Sequence, residues 1–346
     1  MTSSQPLRDE ALVARAGKSL NLLILGGTGF LGPHMVAAAL ARGHRITLFN
    51  RGHDTGTAAD PRIETLNGNR DPRVGAGLAA LAGTRRWDVV IDNSGYVPRQ
   101  VHDSVGLLRG RIGRYIFVST VSVYDSPAGA TIDEHSPLLV APDPGVETVS
   151  ATTYGPLKAE SDRIVRAALG DQATVVRPNY IVGPGDHTDR FTYWVERIFR
   201  GGDVLGPPHP TAGLQWVDAR DLCPWIITLA ERDQAGVFNA SGPVRPVSWE
   251  RLLHELVTLS PVPAGIRYAT PEVMAQTGIQ LPLVDPDGGT LDISGSAAAA
   301  AGLNYRPLAD TARATHAWWQ AQPEERRRSA QRWPTAELEQ EALRRL

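Results

Sequence analysis

Tyr154 and Lys158 stand four residues apart, so on a helix they share one face. Pro156 and the following "LKAESDRIVRAAL" predict that a helix begins near them. An ammonium beside a phenol favours the phenolate and lowers the tyrosine pKa towards working pH. Such a pair equips Tyr154 to move a proton at a carbonyl oxygen while a hydride moves at the carbon. Thr120, ending the apolar run "YIFVST", is placed to hydrogen-bond the same oxygen. Tyrosine and lysine at this spacing are common on exposed helices, so the pair gains meaning only beside a second motif.

That motif lies in "LNLLILGGTGFLGPHMVAAALARGHRITLFNRG", Leu20 to Gly52. Gly27-Thr28-Gly29-Phe30-Leu31-Gly32 satisfies G-x-G-x-x-G, and Gly26, Gly29 and Gly32 satisfy a related spacing, directly after an apolar strand pattern and before a helical one. Glycines permit the tight turn, let the backbone approach a pyrophosphate and let helix pack close to strand, while free N–H groups at the helix start face the anion. The next strand ends in Asn50-Arg51. A carboxylate there would bind the ribose 2′-hydroxyl of NAD, whereas an arginine accepts the 2′-phosphate of NADP. NADP(H) is therefore the favoured cofactor, with NAD(H) the alternative.

The elements that must position these residues form an alternating series. Apolar runs at Leu22 to Leu25, Arg45 to Phe49, Val89 to Ile91, Tyr115 to Val118 and Thr174 to Val176 alternate with helical spacing or turns. Near-continuous apolar strands belong to a parallel sheet covered on both faces. The fold class is thus α/β, a Rossmann-type doubly wound parallel sheet with a smaller, interleaved C-terminal substrate domain. Residues 1–19 read as a polar N-terminal extension. The dinucleotide-binding domain is expected over 20–180, re-entered at about 211–245, with a substrate region over 181–210 and 246–325 and a helical tail over 326–346.

Bulk properties narrow the partners. The 346 residues are 42% hydrophobic and 21% charged with a net charge of −2, which gives no basic field for nucleic acid and no charge block for a membrane surface. A small-molecule substrate is expected instead. The single cysteine, Cys223, excludes an internal disulfide, and the chain has no long apolar run of signal-peptide or membrane-spanning length, so the cytoplasm is the expected location. No metal site is expected: Asp186, His187 and Asp189 read as a mobile polar loop and "VDPDGG" as a turn. "EERRRSAQRW" reads as a solvated face, and Trp318-Trp319 as the dock for a C-terminal helix.

Taken together, these residues resemble the extended branch of the short-chain dehydrogenase/reductase superfamily, the NAD-dependent epimerase/dehydratase family. Gly26 to Gly32 resembles its cofactor fingerprint, "FVSTVSVY" its strand with a catalytic Ser or Thr, and Tyr154 with Lys158 its Y-x-x-x-K pair; "RPNYIVGPGD", "WVDARDLC" and "GVFNASGP" are similar to its later landmarks. The resemblance implies Thr120, Tyr154 and Lys158 as catalytic residues. It implies Asn69 and Arg70 near the adenine, Ser94, Gly95 and Tyr96 along the cofactor, Lys158 also on the nicotinamide ribose, and Pro178 and Asn179 at the nicotinamide end. Ser122 and Tyr180 would face substrate, and a homodimer is the implied assembly.

Departures from the family pattern shape the expected chemistry. Val121 and Ser122 stand where sugar-nucleotide dehydratases carry an Asp-Glu pair, which disfavours water elimination. Tyr180 and Leu214 stand where many nucleotide-sugar epimerases carry an Asn and a phosphate-binding Arg. Arg190, Arg197 and Arg200 are the candidates for a displaced anion site, with an amphipathic helix bearing solvated arginines as the alternative reading. Three functions follow: an NADP-linked oxidoreductase acting on a secondary alcohol or carbonyl of a carbohydrate-like substrate; a sugar or nucleotide-sugar epimerase retaining its dinucleotide; and a non-catalytic dinucleotide-binding or RNA-associated protein.

Overall fold

The computed structural model describes residues 19–52, 60–125, 129–141, 143, 145–285, 287–330 and 332–346. Most of the expected N-terminal extension therefore lies outside the described residues. The chain begins with β1 (Asn21–Leu25), α1 (Leu31–Ala41), β2 (Arg45–Asn50), β3 (Ile63–Asn67), β4 (Trp87–Asp92), α2 (Pro98–Leu108), β5 (Ile112–Val118) and β6 (Thr131–Ile132). It continues with α3 (Tyr154–Leu169), β7 (Ala173–Pro178), β8 (Tyr180–Val182), α4 (Arg190–Phe199), β9 (Gly202–Gly206), β10 (Gly213–Asp218), α5 (Ala219–Glu231), β11 (Gly236–Ala240) and β12 (Gly242–Ser248). The last part holds α6 (Trp249–Leu259), β13 (Ala264–Tyr268), α7 (Pro271–Thr277), β14 (Asp292–Ile293), α8 (Ser296–Ala300), α9 (Leu308–Gln320), α10 (Glu324–Arg328) and α11 (Ala336–Arg344).

Seven parallel strands form the main sheet in the order β11-β7-β5-β4-β1-β2-β3. The order reverses between β1 and β4, and ligands of doubly wound sheets bind at the carboxyl side of that point. One buried layer joins α1 and α5 to the sheet through Leu22, Ile24, Met35 and Ile226; the opposite layer joins α2 and α3 through Leu23, Val105, Phe117 and Val165. Leu23 and Leu25 face one layer and Leu22 and Ile24 the other, as alternation along a strand requires.

One detail differs from the sequence expectation. β3 pairs with β2 as the sheet edge, but its exposed, half-polar "IETLN" lacks the apolar run of a buried strand. Within 211–245, α5 packs on the main sheet and β11 joins it, whereas β10 and β12 pair with each other and β10 with β8 in a separate three-stranded sheet. That small sheet, α4, α6, α9 and α11 share a second core containing Trp194, Trp216, Trp249 and Leu343.

Candidate active site

The carboxyl ends of the main strands supply the site. After β1, Gly26 has a φ of +87° and its missing side chain leaves room for Ser94, which a Cβ would meet at 2.5 Å. Gly32 lets α1 start against the turn: a Cβ there would lie 2.1 Å from the Gly27 carbonyl oxygen. A Cβ on Gly29 would meet nothing within 4 Å, so the turn presents open space at the uncapped start of α1, beside Phe30 and Leu31.

Around this turn lie buried polar atoms that lack a partner among the described residues: Asn50 Nδ2, Arg70 Nε, Asn93 Oδ1 and Ser119 Oγ. Buried polar atoms are normally paired, so these four, following β2 to β5, fit a bound polar ligand. With the open space at Gly29 they match the demands of a dinucleotide. Asn50 Oδ1 accepts from Gly52 N at 2.9 Å, and Arg51 is exposed at the end of β2.

Arg70 does something the sequence reading missed. Its terminal nitrogens donate to both oxygens of the fully buried Asp92, at 2.6 and 2.9 Å, which leaves Nε as its unpartnered nitrogen. Asp92 also accepts from Tyr115 Oη at 2.6 Å and from the Ser94 N–H at 3.1 Å. Burial works to raise the Asp92 carboxyl, but the Arg70 charge prevails and holds it below its ordinary range. The network braces Ser94 and Gly95 after β4, while Asn69 folds its Oδ1 back onto the Asp71 N–H. An acid closing the apolar "WDVVID" was the signal available in the sequence.

Tyr154 is the first residue of α3. The close approach of this helix to the 3-10 turn Val121–Val123 depends on Gly155, whose Cβ would meet the Ser122 carbonyl oxygen at 2.3 Å. Thr120 precedes that turn, and its Oγ1 accepts from the Ser122 N–H at 3.2 Å. Lys158, one helical turn after Tyr154, is 3% exposed, and its Nζ donates to the carbonyls of Gly95 and Val118, both at 2.7 Å. It also lies 4.2 Å from the Phe117 ring centroid and 5.4 Å from that of Tyr96.

The expected lowering of the Tyr154 pKa does not occur here. Burial raises the phenol, with the neighbouring Thr120 hydroxyl pulling the other way, and the Lys158 ammonium is turned to the two carbonyls. Lys158 itself is pulled down to about 7 by burial, with Asp92 opposing the shift.

Thr120, Ser122, Tyr154, Tyr96, Pro178, Asn179 and Tyr180 all line one cleft of about 590 Å³, with Phe30 at its glycine-turn side and Leu214 on its far wall. Asn179 is held there by its Nδ2 bond to Ser241 Oγ at 3.0 Å. Of the three candidate arginines only Arg190 reaches the cleft. Arg197 is buried against Glu339 of α11 at 2.6 Å, and Arg200 is exposed.

The presumed polar loop before α4 is another correction: Asp186 and Asp189 are almost completely buried. Asp189 is gripped by both terminal nitrogens of Arg326, at 2.5 and 2.9 Å, and its carbonyl accepts from Trp333 Nε1 at 2.9 Å. Arg326 and Trp333 therefore do not belong to a solvated face. Trp319 docks both, its ring 5.0 Å from the Arg326 guanidinium and 5.1 Å from the Trp333 ring.

A parallel sheet with a glycine turn, orphaned polar atoms and a Thr, Tyr and Lys cluster beyond its carboxyl ends is the arrangement of a Rossmann-type α/β protein. More particularly, the chain belongs to the NAD dependent epimerase/dehydratase family, whose sequence model matches residues 22–241. This is the family that the glycine turn and the Tyr154 and Lys158 pair resemble in sequence. The chain is similar to the chloroplast stem-loop binding protein of 41 kDa b of Arabidopsis thaliana, 24% identical over 67% of this chain and 61% of that one, so it spans less than two thirds of that relative. It is also 24% identical to the UDP-glucose 4-epimerase of Corynebacterium glutamicum over 71% of this chain and 83% of that one. Its fold matches the Bordetella bronchiseptica enzyme WbmH in complex with NAD+, with a TM-score of 0.66 and 16% identity over 88% of this chain and 99% of that one.

Proposed function

We propose that the protein is an NADP(H)-linked oxidoreductase that interconverts a secondary alcohol and a carbonyl on a small polar, carbohydrate-like substrate. The observation carrying this reading is the convergence of Thr120 and Tyr154 on one cleft, with Lys158 directly behind and the glycine turn at its edge. When bound, the nicotinamide dinucleotide would supply or accept the hydride. Tyr154 would give or take the proton at the substrate oxygen, and Thr120 would orient that oxygen. Lys158, released from one carbonyl, would hold the nicotinamide ribose and bring its charge towards Tyr154.

Preference for NADP(H) rests on the end of β2, where Asn50 replaces a carboxylate and Arg51 is exposed. Gly26, Gly29, Phe30, Leu31 and Gly32 would cradle the pyrophosphate, and Ser94, Gly95, Tyr96, Pro178 and Asn179 would line the nicotinamide half. Ser122 and Tyr180 would contact substrate. Tyr154→Phe tests the reading: turnover falls by at least about a hundredfold while dinucleotide affinity is kept; full-rate turnover would refute it.

A second reading, an epimerase that retains its dinucleotide, is favoured by the several relatives named UDP-glucose 4-epimerase. The same three residues would then act twice on one substrate. An RNA-associated role, suggested by the name of the Arabidopsis relative, is opposed by the net charge of −2.

A further inference from the structure

Several half-buried arginines of this protein have carboxylate partners, among them Arg70 with Asp92, Arg220 with Asp218, Arg306 with Asp221 and Arg326 with Asp189, while Arg111 and Arg327 donate to carbonyl oxygens instead. Arg190 is half-buried on the cleft wall, and no carboxylate among the described residues forms an ion pair with it. Its Nε donates to Thr188 Oγ1 at 3.0 Å, and the guanidinium lies 5.2 Å from the Tyr180 ring centroid. These contacts fix the fork and leave its two terminal nitrogens without an acceptor among the described residues. A partly desolvated guanidinium gains most from a charged, bidentate acceptor.

The neighbouring acids do not fill that role. Asp186 Oδ1 is taken by the Thr188 N–H at 2.8 Å and the Thr188 hydroxyl at 2.6 Å, and burial raises its carboxyl towards neutrality. Asp285 lies on the same cleft without an ion pair to Arg190. The backbone carrying Arg190 is fixed from outside, since Asp189, with a φ of +55°, is clamped by Arg326 and Trp333. Arg190 shares the cleft with Tyr154, and its charge is felt at that phenol.

We propose that Arg190 receives an oxyanion carried by the substrate, a carboxylate or a phosphoryl group, and so decides which end of the substrate meets Tyr154. This rests on the cleft being the substrate site. Arg326 and Trp333 then act as a brace for substrate recognition. The sugar substrate would be acidic or phosphorylated, and a neutral sugar would bind poorly.

The test is calorimetric titration of the full-length chain, loaded with NADPH, with D-glucose, D-glucuronate, D-glucose 6-phosphate and UDP. At least one anion should bind ten times more tightly than D-glucose, D-glucuronate marking a carboxylate site and the other two a phosphoryl site. Arg190→Gln should erase that preference and Arg190→Lys should retain part of it, since a lysine keeps the charge without the fork. Tyr154→Phe should keep the preference intact, which separates this assignment from the proton-transfer role. No anion preference in the unaltered protein, or full preference in Arg190→Gln, would overturn it.

Discussion

Lys158 Nζ donates to the Gly95 carbonyl at 2.7 Å and so ties the helix bearing Tyr154 to the turn after β4. The cost of burying that ammonium lowers its pKa from the ordinary lysine value of about 10.5 to about 7. Between these values the unfolded chain binds the proton that the folded chain has lost, so stability rises with pH across that window. Lys158→Met removes the titration. We expect the stability of the cofactor-free wild type relative to this variant to increase by about 2 kcal/mol from pH 7 to pH 9. Urea midpoints at the two pH values measure it, and a constant gap would contradict the assignment.

Asp92 is fully buried beneath the same turn and receives Arg70, Tyr115 and Ser94. Asp92→Asn leaves the Arg70 charge without its partner. Removing one member of a buried pair costs about 3–5 kcal/mol, and we expect a loss of that size in denaturant unfolding. The substitution also removes the charge that opposes the lowering of Lys158, so the lysine should titrate lower still, read by amine-selective NMR.

Gly32 has no room for a side chain, because a Cβ would strike the Gly27 carbonyl oxygen at 2.1 Å. Gly32→Ala must push α1 away from the turn. Dinucleotide affinity should fall by at least about a hundredfold, a cost of about 3 kcal/mol, whereas Gly29→Ala, with no protein atom within 4 Å, should fold normally and lose affinity only through contact with the cofactor. Thermal unfolding and cofactor titration of both variants separate the two effects.

At the end of β2, Arg51 is the residue expected to grip a 2′-phosphate. Arg51→Ala should weaken NADPH by about tenfold or more and leave NADH nearly unchanged. Equal losses for the two cofactors would remove the case for that contact.

The sheet was legible because buried parallel strands are apolar throughout, as in "LLIL" and "YIFV", and because glycines punctuate the first turn. β3 was not, since an edge strand with an exposed face has no such run. Tyr154 and Lys158 could be paired by helical spacing, but the direction of the Lys158 ammonium depends on carbonyls 63 and 40 residues away in sequence. For the same reason the Arg70–Asp92 pair and the Arg326–Asp189 clamp escaped: each joins segments that only the folded chain brings together. Charge runs such as "EERRR" look solvated until one arginine finds a buried acid.

The most direct measurement is mass-spectrometric identification of any dinucleotide released by denaturing protein purified without added cofactor, with titration of the emptied protein by NADPH and NADH. The proposed oxidoreductase predicts a protein that is largely empty and binds NADPH reversibly and more tightly than NADH. Stoichiometric NAD carried through purification would contradict it, and would instead support an epimerase that regenerates its cofactor on each cycle.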